Sequence, residues 1–348
     1  VEVRPFWYLF LSYLLAYNLI TSKRQLRAFF WIVILGAGVK SFQGLYIFLI
    51  VLKGSIQGQN ELMAHEESFF FVALILLLIL FFLHHRYKPQ LYVTLLLLPG
   101  VLVSLVANNR RTDYIALLVG VMVAWALLFV LKPRMRLGLV AGLVICGMFL
   151  AGYVLAFAHS SGSLAAPARA ILSIINPASA DARDAASNLY RVVENYDLKF
   201  TVKQSPLIGM GFGLPFLQPI ALPNISGLDQ YYLFVPHNTI YWVWMRLGAI
   251  GFMALWYLFG SIIVRGCLIV RQIKDPYLQV VAIYIVAVTF MEVVVAFADY
   301  QLFFYRNVIY LGLLAGILVK LPLLDKEKET PVHETARIVL LPALPDVG

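Results

Sequence analysis

The feature that most constrains this chain is a series of nine apolar stretches, each close to the length of a membrane-spanning helix. A helix crosses the hydrocarbon core of a bilayer with about 20 apolar residues. The stretches cover residues 5–20, 29–50, 68–83, 89–107, 114–131, 137–158, 238–264, 278–298 and 303–320. With 61% hydrophobic and only 13% charged residues, the composition excludes a water-soluble globular protein.

These stretches predict an all-α polytopic membrane protein with about nine transmembrane helices, because a segment in lipid must satisfy its own backbone hydrogen bonds. They are too long and too uniformly apolar for barrel strands. We expect six helices in residues 1–158, one large extracytoplasmic loop in residues 159–236, three helices in residues 237–320 and a flexible cytoplasmic tail in residues 321–348. The chain begins at Val1 rather than Met, directly before an apolar stretch, so we expect it to be trimmed at its N-terminus.

Charged residues predict how the helices are oriented. The net charge is +9, and basic residues cluster in alternate loops, at residues 23–27, 86–88, 132–136 and 265–274. The positive-inside rule places these loops in the cytoplasm and the long loop outside. Arg110 and Arg111 then lie on the outer side, against the rule. Either the other loops outweigh them, or the two arginines hold an anion at the membrane surface.

The long loop contains a predicted amphipathic helix, residues 187–204, with Ser187 and Asn188 available to cap its start. Arg191 lies outside the apolar stripe of this helix. It is either a functional cation or a solvated surface residue paired with Glu194 three positions along.

A glycine-rich turn follows this helix, with glycines at Gly209, Gly211 and Gly213. Glycine permits positive φ and close approach, so the backbone N–H groups of this turn are candidates for binding phosphate oxygens. A purely structural turn is the alternative. The spacing is not that of a dinucleotide-binding loop.

Three polar residues mark the outer end of the seventh apolar stretch. His237 is placed to exchange a proton or to serve as an interfacial anchor, and Asn238 is placed to orient a hydroxyl group. Arg246 must face the bundle interior or a wet cavity, because an arginine facing lipid is costly.

Four other charged residues fall in or near the spans. Lys40 near mid-membrane needs a partner, for which Glu292 is the candidate. Asp299 and Arg306 are candidates to pair across the last outer turn.

Three sequence pieces occur in an ordered set: NRRT at 109–112, YR at 190–191 followed by PLIGMGFG at 206–213, and HNTIY at 237–241 leading to LGAIG at 247–251. Together they resemble the O-antigen ligase and polymerase superfamily over roughly residues 108–258. Each motif is weakly specific alone, whereas the order and spacing of the set are more specific.

The resemblance implies a membrane glycosyltransferase that uses an undecaprenyl-diphosphate-linked glycan donor and a glycan, lipid A core or protein acceptor. It would act on the outer face of the bacterial cytoplasmic (inner) membrane. Arg111 and Arg191 would hold the diphosphate and His237 would activate or position the acceptor hydroxyl, while Arg110 competes with Arg111 for phosphate contact. Members of the superfamily usually have about a dozen spans, so the resemblance also implies that N-terminal helices before Val1 are missing. No cofactor, metal ion or nucleic acid is expected, and no D-x-D motif occurs in the outer loops.

Two other function classes stay open at this point. A small-solute transporter would depend on Lys40 and Glu292, and an assembly scaffold without enzymatic activity would tolerate loss of His237. Within the resembled superfamily, the sequence does not separate a ligase from a polymerase or a protein glycosylation enzyme.

Overall fold

The computed structural model describes residues 2–54, 62–84, 88–158, 160, 162, 165–176, 178, 182–227 and 230–326. Within these residues the protein is helical and has no strand, which confirms the predicted all-α fold. The helices are α1 Arg4–Leu19, α2 Lys23–Tyr46, α3 His65–His84, α4 Lys88–Asn108, α5 Arg111–Leu131, α6 Arg136–Phe157, α7 Ala166–Ile175, α8 Ala182–Gln204, α9 Thr239–Gln272, α10 Pro276–Ala296 and α11 Tyr305–Lys326.

Eight of the described helices are long and apolar enough to cross a membrane: α2 to α6 and α9 to α11. They correspond to eight of the nine predicted stretches. The remaining stretch, the first in the sequence, forms α1, which has only 16 residues. Helices α7 and α8 lie in the predicted extracytoplasmic loop, outside the apolar stretches.

Helix α10 forms the centre of the bundle. Most of its side chains are buried, and α3, α5, α9 and α11 pack around it. Because α10 is covered by protein on nearly every face, it carries an apolar sequence without an amphipathic stripe. Helix α6 lies at the opposite extreme, with almost all its side chains exposed.

Helix α1 packs closely along α11 through two small positions. A side chain at Gly312 would approach Leu9 O to 2.5 Å, and one at Gly316 would approach Tyr13 O to 2.5 Å. Glycine spaced by four residues lets helix backbones approach closely in a membrane. The contact holds α1 against the bundle.

Two predicted ion pairs are wrong. Lys40 Nζ lies 2.9 Å from Glu67 Oε1 on α3, not beside Glu292. Arg306 also binds Glu67, and Asp299 binds His65, so Asp299 and Arg306 do not pair across the turn. The reason is that the first turn of α3 brings the Glu67 carboxylate to both Lys40 on α2 and Arg306 at the start of α11.

The amphipathic loop helix begins earlier than predicted. Helix α8 starts at Ala182, so Ser187 and Asn188 lie inside it and do not cap it. Alanines at 182, 185 and 186 favour helix over the capping geometry that serine and asparagine adopt. Helix α11 continues to Lys326, into the predicted tail. The rest of that tail lies outside the described residues.

Candidate functional site

A cavity of about 720 Å³ lies at the end of the bundle where α8 crosses the N-terminal ends of α3, α5 and α9. Its polar lining comes from four separate elements and consists of His65, Arg110, Ser187, Tyr190, Arg191 and His237. Three predicted site residues, Arg110, Arg191 and His237, therefore share one cavity. Arg111, Asn238, Arg246 and the three glycines are not among its lining residues.

His237 is held by a buried carboxylate. Its Nδ1 atom lies 3.1 Å from Glu194 Oε1, and its backbone N–H donates to Glu194 Oε2 at 3.1 Å. Glu194 is 1% exposed, whereas the His237 side chain is 22% exposed. A carboxylate at Nδ1 fixes the orientation of the imidazole and stabilises positive charge on it, which leaves Nε2 to act on a ligand.

Two tyrosine rings fix the His237 ring from the sides. Tyr190 and Tyr300 each pack edge-on against it, with ring centroids 5.6 and 5.5 Å away. Edge-to-face packing at these separations is favourable for aromatic rings. The imidazole is thus held in one orientation before any ligand arrives.

Arg191 brings a largely buried positive charge to the cavity. Burial lowers the pKa of its guanidinium, Asp299 and Glu194 oppose this shift, and the charges of Arg111 and Arg110 add to it. Its Nε atom is buried and has no hydrogen-bond partner among the described residues. Because arginine stays protonated in proteins, the cavity contains a cation suited to an anionic ligand.

Arg111 is engaged by the loop helices. Its guanidinium donates to Asn188 Oδ1 at 2.9 Å and to Ser173 Oγ at 3.3 Å, and lies 3.5 Å from Asp184 Oδ2. These partners belong to α7 and α8, so Arg111 ties both loop helices to the start of α5.

Arg110 reaches the cavity because the chain turns sharply between α4 and α5. Asn109 adopts a positive φ of 48°, a conformation that asparagine tolerates better than most residues. Arg110 follows as the residue before α5 and lines the cavity beside His65.

The glycine turn packs on a break in α9. Gly248 interrupts the helix at φ 63°, and the freed carbonyls of Met245 and Arg246 accept hydrogen bonds from Met210 N at 2.7 Å and Gly211 N at 3.1 Å. Gly209 has a φ of +81°, and a side chain there would lie 2.5 Å from Gly248 N. Glycine is required where two backbones approach this closely.

None of the three glycine N–H groups points to an open space. Gly209 N donates to Ser205 O, Gly211 N to Arg246 O and Gly213 N to Glu2 Oε2. The contacts favour a structural turn over a phosphate-binding loop.

Arg246 faces the protein interior, as its position in the span required. It is 1% exposed, lies 2.6 Å from Glu2 Oε1 and donates to the carbonyls of Gly211, Leu214 and Phe234. It holds the glycine turn rather than lining the cavity.

The Asn238 side chain is also occupied by protein contacts. Its Oδ1 accepts from Tyr241 N at 3.1 Å and caps α9, and its Nδ2 donates to Asn195 Oδ1 at 2.9 Å. Side-chain capping of this kind fixes where a helix begins. Asn238 thereby places the preceding His237 at the start of α9.

Sequence reasoning missed two residues of this site. From the sequence, Glu194 was considered only as a helix-surface partner of Arg191, three residues away. In the structure, the packing of α8 on α9 brings Glu194 to His237 instead. His65 carried no motif, because it precedes an apolar stretch and follows a segment of unremarkable composition.

Residues 94–257 match the family model described as O-antigen ligase, just under half of the chain. This match confirms the resemblance to O-antigen ligases and polymerases. The O-antigen ligase match runs from α4 into α9 and includes Arg110, Arg111, Arg191, Glu194 and His237. No curated protein matches the chain.

The O-antigen ligase family indicates a glycosyltransferase-like ligase or polymerase of polysaccharide biosynthesis. Such enzymes take glycan from a lipid-linked donor and transfer it to a glycan acceptor. Together with eight apolar helices, the match indicates a multi-pass membrane protein.

Proposed function

We propose that this protein transfers or polymerises an undecaprenyl-diphosphate-linked oligosaccharide on the outer face of the bacterial cytoplasmic membrane, without a metal ion. The observation that carries the proposal is the cavity in which Arg110, Arg191 and His237 converge within the family-matched region.

Arg191 and Arg110 are assigned to the donor diphosphate. Planar guanidinium groups bind phosphate oxygens in a bidentate manner and stabilise charge that develops on a leaving group. Arg111 is assigned a positioning function, because its donors already bind Asn188, Ser173 and Asp184.

His237 is assigned to the acceptor. As the acceptor hydroxyl oxygen bonds to the anomeric carbon, its proton passes to His237 Nε2, and the carbon–oxygen bond to the diphosphate breaks with its electron pair remaining on the phosphate oxygen. The buried Glu194 carboxylate stabilises the imidazolium formed.

The distribution of charge supports the sidedness. The cavity lies at the same end as the loop helices α7 and α8. At the opposite end, Lys23 pairs with Asp275 at 2.8 Å and basic residues recur in the short loops, as the positive-inside rule expects of a cytoplasmic face.

Transfer of a lipid-diphosphate-linked oligosaccharide by membranes that contain the protein tests the proposal. We expect Arg191→Ala and His237→Ala to lose transfer, and a chelator to leave wild-type transfer unchanged. Arg169→Ala on the exposed face of α7 and His84→Ala at the opposite end of α3 are matched controls. Full transfer by His237→Ala would favour a scaffold, and absence of transfer in wild type with glycan, lipid A core and protein acceptors would count against the enzyme.

A further inference from the structure

A second histidine–carboxylate pair contributes its histidine, His65, to the lining of the same cavity. His65 Nδ1 lies 3.1 Å from Asp299 Oδ2, and the side chains are 15% and 2% exposed. His65 lies outside the residues matched by the family model. The mechanism proposed above does not use this pair.

His65 is fixed in place by the residue next to the arginine turn. Asn108 Oδ1 accepts from Met63 N at 3.0 Å, and Asn108 Nδ2 donates to Ser68 Oγ at 2.6 Å. These bonds hold the start of α3 on both sides of His65. The same α4 terminus leads directly into Asn109 and Arg110, so His65 and Arg110 are positioned together.

Asp299 is fixed just as firmly. It accepts hydrogen bonds from Tyr300 N at 2.9 Å and from Gln301 Nε2 at 3.0 Å, and its carbonyl accepts from Thr239 Oγ1 at 3.1 Å. Burial would raise the pKa of Asp299, but the hydrogen bond and charge of His65, with Arg110 and His237, hold it well below its ordinary range. Asp299 is therefore a carboxylate, which stabilises positive charge on the His65 ring.

Tyr300 joins the two pairs. Its ring centroid lies 5.6 Å from that of His65 and 5.5 Å from that of His237. The two imidazoles therefore flank one aromatic ring and both line the cavity. His65 lies on the side of Arg110 and at the first residue of α3, where helix backbone dipoles also favour an anion.

We propose that His65 is a further catalytic residue, which donates a hydrogen bond to the leaving diphosphate while Asp299 holds its ring. This inference rests on the proposed function. The bond that forms joins the acceptor oxygen to the anomeric carbon, and the bond that breaks joins that carbon to the diphosphate oxygen. His237 takes the hydroxyl proton, and His65 with Arg110 and Arg191 receives the charge left on the diphosphate.

The test uses farnesyl diphosphate and farnesyl monophosphate as inhibitors of glycan transfer by the full chain. We expect His65→Ala to weaken inhibition by the diphosphate about tenfold, and inhibition by the monophosphate less, because one charged donor contact is lost. We expect kcat to fall while KM for the acceptor stays within twofold. His84→Ala is the matched control.

Two results would overturn the proposal. One is a His65→Ala protein that farnesyl diphosphate inhibits as strongly as it inhibits wild type. The other is a lower melting temperature with an unchanged ratio of inhibition by farnesyl diphosphate to inhibition by farnesyl monophosphate, which a purely structural residue would give. If His65→Ala does not fold, the test uses His65→Gln, which keeps an N–H donor of similar size but no charge. Inhibition of His65→Gln by farnesyl diphosphate should then lie between that of wild type and the tenfold weaker inhibition expected for alanine. Transfer by wild type that is lost in Arg191→Ala tests the proposed function separately.

Discussion

Arg191 and Arg246 are both largely enclosed arginines near the junction of the outer loop and α9, yet their surroundings differ. Arg246 has a carboxylate and three backbone carbonyls around its guanidinium. Arg191 lines a cavity that it shares with Arg110 and His237, and Arg246 is not among the lining residues. The Nε atoms of both arginines are buried without a partner among the described residues. Burial alone does not distinguish a structural arginine from a ligand-binding arginine. The number of protein acceptors around the guanidinium does distinguish them.

The largest effect should come from removing Arg246. We expect Arg246→Ala to lower the free energy of unfolding by about 3–5 kcal/mol, because it takes the cationic partner from the buried Glu2 carboxylate and a donor from three carbonyls. Thermal unfolding in detergent measures this. A loss no greater than that of Arg169→Ala would remove the distinction between the two arginines.

Arg191→Ala should have the reverse profile. We expect transfer to fall about 10²- to 10³-fold, the usual cost of removing one donor to a developing charge. The melting temperature should stay equal or rise, because a largely buried cation beside Arg110 and Arg111 is removed. Destabilisation comparable to that of Arg246→Ala would show that Arg191 is a structural residue.

Glu194→Gln should reduce transfer about 10- to 100-fold at constant stability, since the amide keeps the shape of the carboxylate but not its charge. Lys203→Gln, at the exposed end of the same helix and outside the cavity lining, should change the rate less than threefold. Steady-state kinetics of both proteins make the comparison, and equal rates would remove Glu194 from the mechanism.

Asp299→Asn should cost about 1–3 kcal/mol of unfolding free energy at neutral pH. Because folding lowers the pKa of Asp299, its stabilisation is complete above the ordinary value near 3.8 and is lost as the pH falls below that value. The difference between wild type and Asp299→Asn should therefore shrink below about pH 4. A difference that does not change with pH would contradict the assignment.

Glu292→Gln should have the smallest effect, below about 1 kcal/mol. Glu292 is 1% exposed, and its Oε1 has no hydrogen-bond partner in the described part of the chain. A neutral amide of equal size should replace it at little cost. Thermal unfolding of Glu292→Gln beside Asp299→Asn makes the measurement.

The fold followed from the apolar stretches because lipid leaves helices as the only arrangement for them. The neighbours of each helix did not follow, since nearly uniform apolar faces carry no information about which helix packs where. Lys40 was therefore assigned to Glu292 when its partner is Glu67. Arg246 was expected to face inward because an arginine facing lipid is costly. The sequence did not predict that its partners would lie in the glycine turn.

The sequence predicted candidate site residues where unusual polar residues occur in an ordered set. His237 and Arg191 were predicted in this way, and both line one cavity. The contacts of Glu194, His65 and Asp299 could not be predicted from the sequence, because a carboxylate that supports a histidine from another helix has no characteristic sequence spacing. Which of Arg110 and Arg111 lines the cavity likewise depends on a single backbone turn at Asn109.

The break at Gly248 bears on the order in which the protein is assembled. Met210 and Gly211 supply hydrogen bonds that the carbonyls of Met245 and Arg246 would otherwise lack. Because unsatisfied carbonyls are costly in lipid, the outer turns of α9 are complete only once the glycine turn has docked on them. That turn is made before α9 during synthesis, so the segment that completes the helix is already translated when α9 enters the bilayer.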